Sequence, residues 1–290
     1  MTTVSLPRFA PLLNMALYFD GGREVATAPL PADLFPQNAS DLAFTVTFWM
    51  NPGPAPWTAG NPTAGSDAPQ TVLDVRGASG PVVSLAYGPG RKVTCTLPGS
   101  RPDISELAFD RLTAKWLYVI VVYSPNPTQL MLVVSDGGPT TASAVVPLAP
   151  QLLLGDEPRA LTLGRSGGQD GAPFQGMLTR LRVRRIAMEA ADALAAMYDE
   201  PLGFQNNAND ALAADWRMNE GYGTVAFDYA TPGGPLLPLR YQPPPGNHLR
   251  LGDGDPATEP GWAVANLTAL VRAETAQPMA QLLSMGGTAR

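Results

Sequence analysis

The 290-residue chain has one cysteine, Cys95, one histidine, His248, and only two lysines, Lys92 and Lys115. A single cysteine excludes an internal disulfide and a cysteine-based zinc site, so Cys95, in the stretch KVTCTL, reads as a small buried hydrophobe. A single histidine leaves one possible base for Ser-His-Asp chemistry, and it stands in the proline-rich stretch PPPGNHLRLGDGD, where it reads as a surface residue. No window reaches the roughly 18 apolar residues of a membrane span, so no membrane insertion is expected. The start, MTTVSLPRFAPLLNM, lacks the charged opening and unbroken apolar core of a signal peptide. A net charge of −6 supplies no basic field, which argues against nucleic acid as a ligand. Phosphate-cradling loops are missing as well, because GGQDGAP precedes a strand pattern and not a helix.

What the chain has in quantity is glycine and proline, 29 and 31 residues, which suit many turns between short strands. Residues 1–14 read as an N-terminal arm broken by Pro7 and Pro11. ALYFDGGREVATAP reads as two short strands about an Asp-Gly-Gly turn, a hairpin signal. DLAFTVTFWMNP places Phe44, Val46 and Phe48 on one face and Thr45, Thr47 and Trp49 on the other, a half-buried wall. The loop GPAPWTAGNPTAGSDAP follows, and its Trp57 is read either as an exposed aromatic or as a pin holding the loop to the body. TVLDVR, PVVSLAYG and RKVTCTL give three more strands. KWLYVIVVYSPNPTQLMLVVSDGG reads as a hairpin of two long apolar strands about a Pro-Asn-Pro turn, and TTASAVVPL and RALTLGR add two more. About twelve strands are expected up to residue 186.

The stretch GAPFQGMLTRLRVRRIAMEAADALAAMY changes period in its middle. Met177, Thr179, Leu181 and Val183 share one parity and Arg180, Arg182 and Arg184 the other, as in a strand with an arginine-covered outer strip. Ala190, Ala191, Leu194 and Tyr198 then recur at helical spacing ahead of Pro201 and Gly203. After residue 203 the chain becomes proline-rich, with brief strands around Trp216 and Val225. Residues 204–290 read as a C-terminal extension, either a late strand plus tail or a truncated second repeat.

Taken in order, ALYFDGG, FTVTFWMNP, KWLYVIVVY with LMLVVSDGG, LTLGR, and FQGMLTRLRVRR with its short helix resemble the laminin-G-like jelly roll, within the concanavalin A-like lectin and glucanase superfamily. The resemblance covers residues 15–200 and implies an all-β fold: a two-sheet antiparallel jelly-roll sandwich over 15–203 with one short helix and an irregular C-terminal extension. LAADWRMNEGYGTVAFDYATPGG looks like the segment that commonly opens such a domain, here placed late.

The resemblance also implies chemistry to weigh. Glucanases of the superfamily carry Glu-x-Asp-x-Glu on one strand, because retaining hydrolysis needs two carboxyls about 5 Å apart; the eight glutamates here never form it, so no enzyme is expected. Many laminin-G-like domains hold a calcium ion at the rim, and Asp20 and Asp170 are the matching candidates. The acidic pair usual after Phe-x-Gly is replaced by Thr179 and Arg180, which weakens a site that a hard cation would fill with several oxygens. Asp253, Asp255 and Glu259 read as a solvated loop. Sugar binding needs an aromatic platform beside polar groups, for which Trp57, Tyr241 and Trp262 are candidates, whereas Trp49, Trp116 and Trp216 read as core.

Two functions of different class follow. In the first, the chain is a non-enzymatic structural or adhesive subunit of a larger assembly, such as a phage capsid decoration, tail component or surface fibre. It would sit on a virion or extracellular particle, and its arms and its Arg180, Arg182 and Arg184 strip would contact neighbouring protein subunits. In the second, it is a free lectin-like module binding cell-surface glycans, with or without calcium.

Overall fold

The computed structural model describes residues 15–30, 43–53, 69–77, 80–88, 92–97, 116–135, 141–147, 159–167, 171–197, 212–230 and 247–265. The first half of the strands runs β1 (Met15–Asp20), β2 (Ala26–Leu30), β3 (Phe44–Pro52), β4 (Gln70–Gly77), β5 (Gly80–Gly88), β6 (Lys92–Thr96), β7 (Leu117–Pro125) and β8 (Thr128–Ser135). Then come β9 (Thr141–Pro147), β10 (Arg159–Leu163), β11 (Ala172–Pro173), β12 (Gln175–Arg184), α1 (Ala190–Ala195), β13 (Leu212–Trp216), β14 (Val225–Ala226), β15 (Leu249–Leu251) and β16 (Gly261–Val264). Among the described residues twelve strands therefore precede residue 186, and one short α-helix follows, as expected from the sequence.

The strands form two eight-stranded sheets. Sheet A runs β16-β1-β12-β3-β7-β8-β9 with β13 joined to β12, and sheet B runs β14-β15-β2-β10-β4-β5-β6 with β11 joined to β4. Every pairing is antiparallel except β11 with β4. The inner faces meet in one core, where Phe19, Phe44, Met50, Val119 and Leu132 of sheet A face Leu73, Leu85, Leu161 and Leu163 of sheet B. The fold is a jelly-roll-like β-sandwich.

The β7–β8 hairpin forms as read, closing on Asn126 and Pro127. The Asp-Gly-Gly turn does not make a hairpin. It carries the chain across the sandwich, from β1 in sheet A to β2 in sheet B, so the two short strands never pair. β3 is also not a one-sided wall: all nine of its residues are buried. The reason is a second apolar layer on the outside of sheet A, where Trp49, Tyr118, Ile120, Val122, Val133 and Met177 pack with Ala193 and Met197 of the α1 segment. Thr45 pins the approach to the helix, donating to Ile186 O at 2.7 Å and accepting from Met188 N at 3.0 Å.

The strip of three arginines requires correction. β12 bulges between Thr179 and Arg182, where Arg180 takes a positive φ of 54°. The bulge reverses the parity, so Leu178, Leu181 and Val183 face the core while Met177 lies outward. Arg182 and Arg184 do lie on the outer face of sheet A, but they are buried, at 8% and 4% exposure. Arg182 Nε reaches Asp215 Oδ1 at 3.1 Å, and Arg217 Nε reaches Asp215 Oδ2 at 3.0 Å. Two guanidinium groups thus neutralise one carboxylate beneath the surface, and Arg217 lies 4.5 Å over the Tyr229 ring.

The strands after residue 211 belong to both sheets. β1 pairs with residues 175–178 of β12 and β13 with residues 181–184, so the two share one edge of β12 and hand over at the bulge. The Thr179 hydroxyl sits at that junction, within 2.8 Å of Met15 O and 3.1 Å of Arg217 O. Trp216, Met218, Ala226, Leu249 and Leu251 enter the main core, and Trp216 Nε1 donates to Asn247 O at 2.6 Å. β14 and β15 extend sheet B beyond β2, while β16 extends sheet A beyond β1.

Candidate functional site

The outer face of sheet B differs in kind from that of sheet A. Inward positions on β2, β10, β4, β5 and β6 are apolar, including Ala28, Leu161, Val75, Val83 and Cys95. Alternation therefore sends the polar partners outward. The register aligns them into a row that crosses six strands: Arg250 opposite Thr27, Thr27 opposite Thr162, Thr162 opposite Asp74, Asp74 opposite Ser84, and Ser84 opposite Thr96. Arg250 and Thr96 are exposed, and Thr27 and Ser84 are half-buried.

The row is stiffest at Asp74, which is 1% exposed. Its Oδ2 accepts from Arg76 Nε at 2.6 Å, Ser166 Oγ at 3.0 Å and Gly167 N at 3.1 Å. Its Oδ1 is buried without a hydrogen-bond partner among the described residues. Ser166 Oγ in turn accepts from Arg76 Nη2 at 3.1 Å. Gly164-Arg165-Ser166-Gly167-Gly168 has the Gly-x-Ser-x-Gly spacing of a nucleophile elbow, but Ser166 lies in the connection between β10 and β11, with no helix after it. Its hydroxyl serves Asp74. His248 Nδ1 accepts from Asp228 N at 3.0 Å and its ring meets Phe227 edge-on, so this histidine holds backbone in place.

At one end of the row, the loop after β13 leads into β14, whose Val225 pairs with Arg250. That loop presents Tyr222, 69% exposed, which sequence pattern alone did not single out. Trp262, a candidate platform, lies beneath the loop: it is half-buried against the core, and its Nε1 donates to Gly223 O at 2.9 Å. Among the described residues Tyr222 is thus an exposed aromatic, on a loop that Trp262 ties to the edge strand β16 of sheet A.

Several loops meet at the rim where β1, β3 and β12 exchange chain. Asp20 pairs with Gln175, Gly53 N donates to Gln175 O, and Ala172 N donates to Pro69 O. Gly176 of the Phe-x-Gly motif has φ +150°, and a Cβ there would collide with Asn51 O and the Phe174 ring, which explains why only glycine fits. Asp20 Oδ1 and Glu24 Oε2 both accept from Gly22 N, at 2.6 and 3.2 Å. Burial, then the hydrogen bond with Asp20 and the charge of that neighbour, push the Glu24 carboxyl up to about 7. Among the described residues no group of three or more acidic, histidine or cysteine side chains could hold a metal ion, and Thr179 is committed to backbone carbonyls. Asp170, Trp57 and Tyr241 lie outside the described residues, as does the arm of residues 1–14.

The acidic loop at 253–259 is tied down. Asp253 Oδ1 accepts from Thr258 Oγ1 at 2.7 Å and Asp255 N at 3.2 Å, and Asp255 Oδ1 caps a short 3-10 turn at Ala257 N. Cys95 is fully buried, and burial raises its thiol to about 12, so it has no nucleophilic role.

Fold and face together define a β-sandwich with one covered outer face and one open, polar outer face. No family model and no curated protein matches the chain. Among solved structures, a proposed carbohydrate-binding protein from Bacteroides ovatus superposes with a TM-score of 0.52 at 16% identity, covering 88% of this chain and 60% of that one. This chain therefore spans less than two thirds of that protein, and the likeness is one of fold. Weaker likenesses are a heptameric SAP-like pentraxin from Limulus polyphemus, with TM-score 0.41, 12% identity and coverage of 64% and 83%, and lectin II from Ulex europaeus, with TM-score 0.36, 9% identity and coverage of 59% and 92%.

Proposed function

We propose that the chain is a non-catalytic, laminin-G-like carbohydrate-binding module whose glycan lies along the open outer face of sheet B. The observation that carries this reading is the polar row from Arg250 to Thr96. The hydroxyls of Thr27, Ser84 and Thr96 and the guanidinium groups of Arg250 and Arg76, held in fixed register, supply the donors and acceptors that saccharide hydroxyls require. The carbohydrate binding proposed for the Bacteroides ovatus protein of similar fold supports it. A glycan array probed with the full chain tests it. Retention on a saccharide, lost in Ser84→Leu with an unchanged unfolding midpoint, is the expected result; retention untouched by Ser84→Leu removes this face as the site.

A second reading, the structural or adhesive subunit of a larger particle, draws on one observation. Val145 on β9 and Val264 on β16, the two end strands of sheet A, are 53% and 56% exposed. Apolar end strands are places where another chain can add. The native mass decides: a monomer at micromolar concentration sinks this reading.

A further inference from the structure

The open face carries a chemical preference of its own, and we infer that it selects acidic oligosaccharides, bearing carboxylate or sulfate groups, with Arg76 as the anchor. This rests on the carbohydrate reading of the same face.

The argument begins with how Arg76 is held. Its Nε is locked on Asp74 Oδ2 and its Nη2 on Ser166 Oγ, while Nη1 makes no such bond among the described residues. A carboxylate that is 1% exposed, itself fixed by Ser166 and Gly167, therefore orients the guanidinium of a side chain that is still 28% exposed. Gly167 is part of the arrangement, since a Cβ there would stand 3.2 Å from Arg76 Cδ and press on its stem. Arginine entropy is spent in folding and not in binding, and with Nε and one N–H of Nη2 engaged, Nη1 and the second N–H of Nη2 remain as an end-on pair that suits bidentate capture of a carboxylate or sulfate.

Charge supports the same choice. Among the described outward residues of sheet B the only carboxylate is the buried Asp74, whereas Arg76 and Arg250 are cations. The chain as a whole carries −6. A cationic face on an acidic protein steers an anion to that face. Arg250 and Arg76 stand three strands and two residues apart, about 16 Å at the usual strand and residue spacings, so a ligand that meets both is longer than one sugar ring.

The test is calorimetric titration of the full chain with three probes of matched length: oligogalacturonate, a sulfated dextran oligomer and the unsubstituted dextran oligomer. At least one acidic probe should bind tenfold or more tightly than the neutral one, and added salt should weaken it. Arg76→Gln and Arg76→Lys should each lose tenfold or more, the latter because an ammonium cannot replace the fork. Because Arg76→Gln leaves Asp74 without its partner, Arg250→Glu, at an exposed side chain, keeps the test alive if that variant fails to fold; it should lose severalfold. The two acidic arms separate carboxylate from sulfate. Neutral and acidic probes binding alike, or variants binding as the parent does, overturns the acidic preference and leaves the carbohydrate reading standing. Failure of both acidic probes overturns it also, and failure of every saccharide on the array sinks both.

Discussion

The two outer faces of the sandwich obey the same alternation and end differently. On sheet A the outward positions include Trp49, Tyr118, Ile120 and Met177, and a helix segment closes over them. On sheet B the outward positions in the central row are Thr27, Thr162, Asp74, Ser84 and Thr96. Each face also carries arginine. Arg182 and Arg184 are buried on the covered face, whereas Arg76 keeps its fork at the surface of the open one. The layer packed over the sheet, and not the residue type, decides whether an arginine becomes a structural post or a contact: Arg182 lies between Thr47 and Asp215 under the helix segment, whereas Arg76 lies between Ala160 and Pro81 on an uncapped face.

Perturbing the two faces should separate stability from binding. The largest effect is expected from Trp49→Ala, which empties the covered layer and should cost about 4 kcal/mol in denaturant unfolding while leaving saccharide binding intact at temperatures where the protein is folded. Asp215→Ala should follow at about 3 kcal/mol, because it removes the buried carboxylate that Arg182 and Arg217 share; a cost near zero would mean that water reaches this side. On the open face Ser84→Ala should change stability by less than about 0.5 kcal/mol yet weaken glycan binding measurably. Equal stability losses on both faces would erase the contrast.

The smallest effect belongs to the rim. Glu24 has its carboxyl raised from the ordinary 4.5 to about 7, so it takes up a proton on folding. Its stabilising share is complete below about 4.5 and is lost as pH rises through about 7. Thermal melts of Glu24→Gln should gain on the parent between pH 5 and pH 8; parallel curves would show that Asp20 and Glu24 do not compete.

Much of the fold was legible because long apolar runs and their turns are local signals. The β7–β8 hairpin and the strand-to-helix switch after β12 needed nothing else. The Asp-Gly-Gly turn misled because a turn signal specifies a reversal and not which sheet receives the chain. The parity of β12 misled because a bulge at Arg180 requires a positive φ that no residue type there announces. The candidate site was legible only in pieces. Thr27, Asp74, Ser84 and Thr162 are ordinary strand residues one by one, and only cross-strand register assembles them. Tyr222 was hidden for the opposite reason, since its motif, Glu-Gly-Tyr-Gly, reads as a domain opening and not as a contact surface.

The handover from β13 to β1 along β12 has a consequence for how the chain acquires its shape. The junction at Thr179 closes residue 15 against residue 217, and β1 gains its other neighbour only when residues 261–264 arrive. Pairings of such sequence separation are paid for in loop-closure entropy before they return any contact. Delivered in order from the ribosome, β1 keeps one edge open until β12 follows and the other until β16 follows, so sheet A closes only after strands far along the chain have been made.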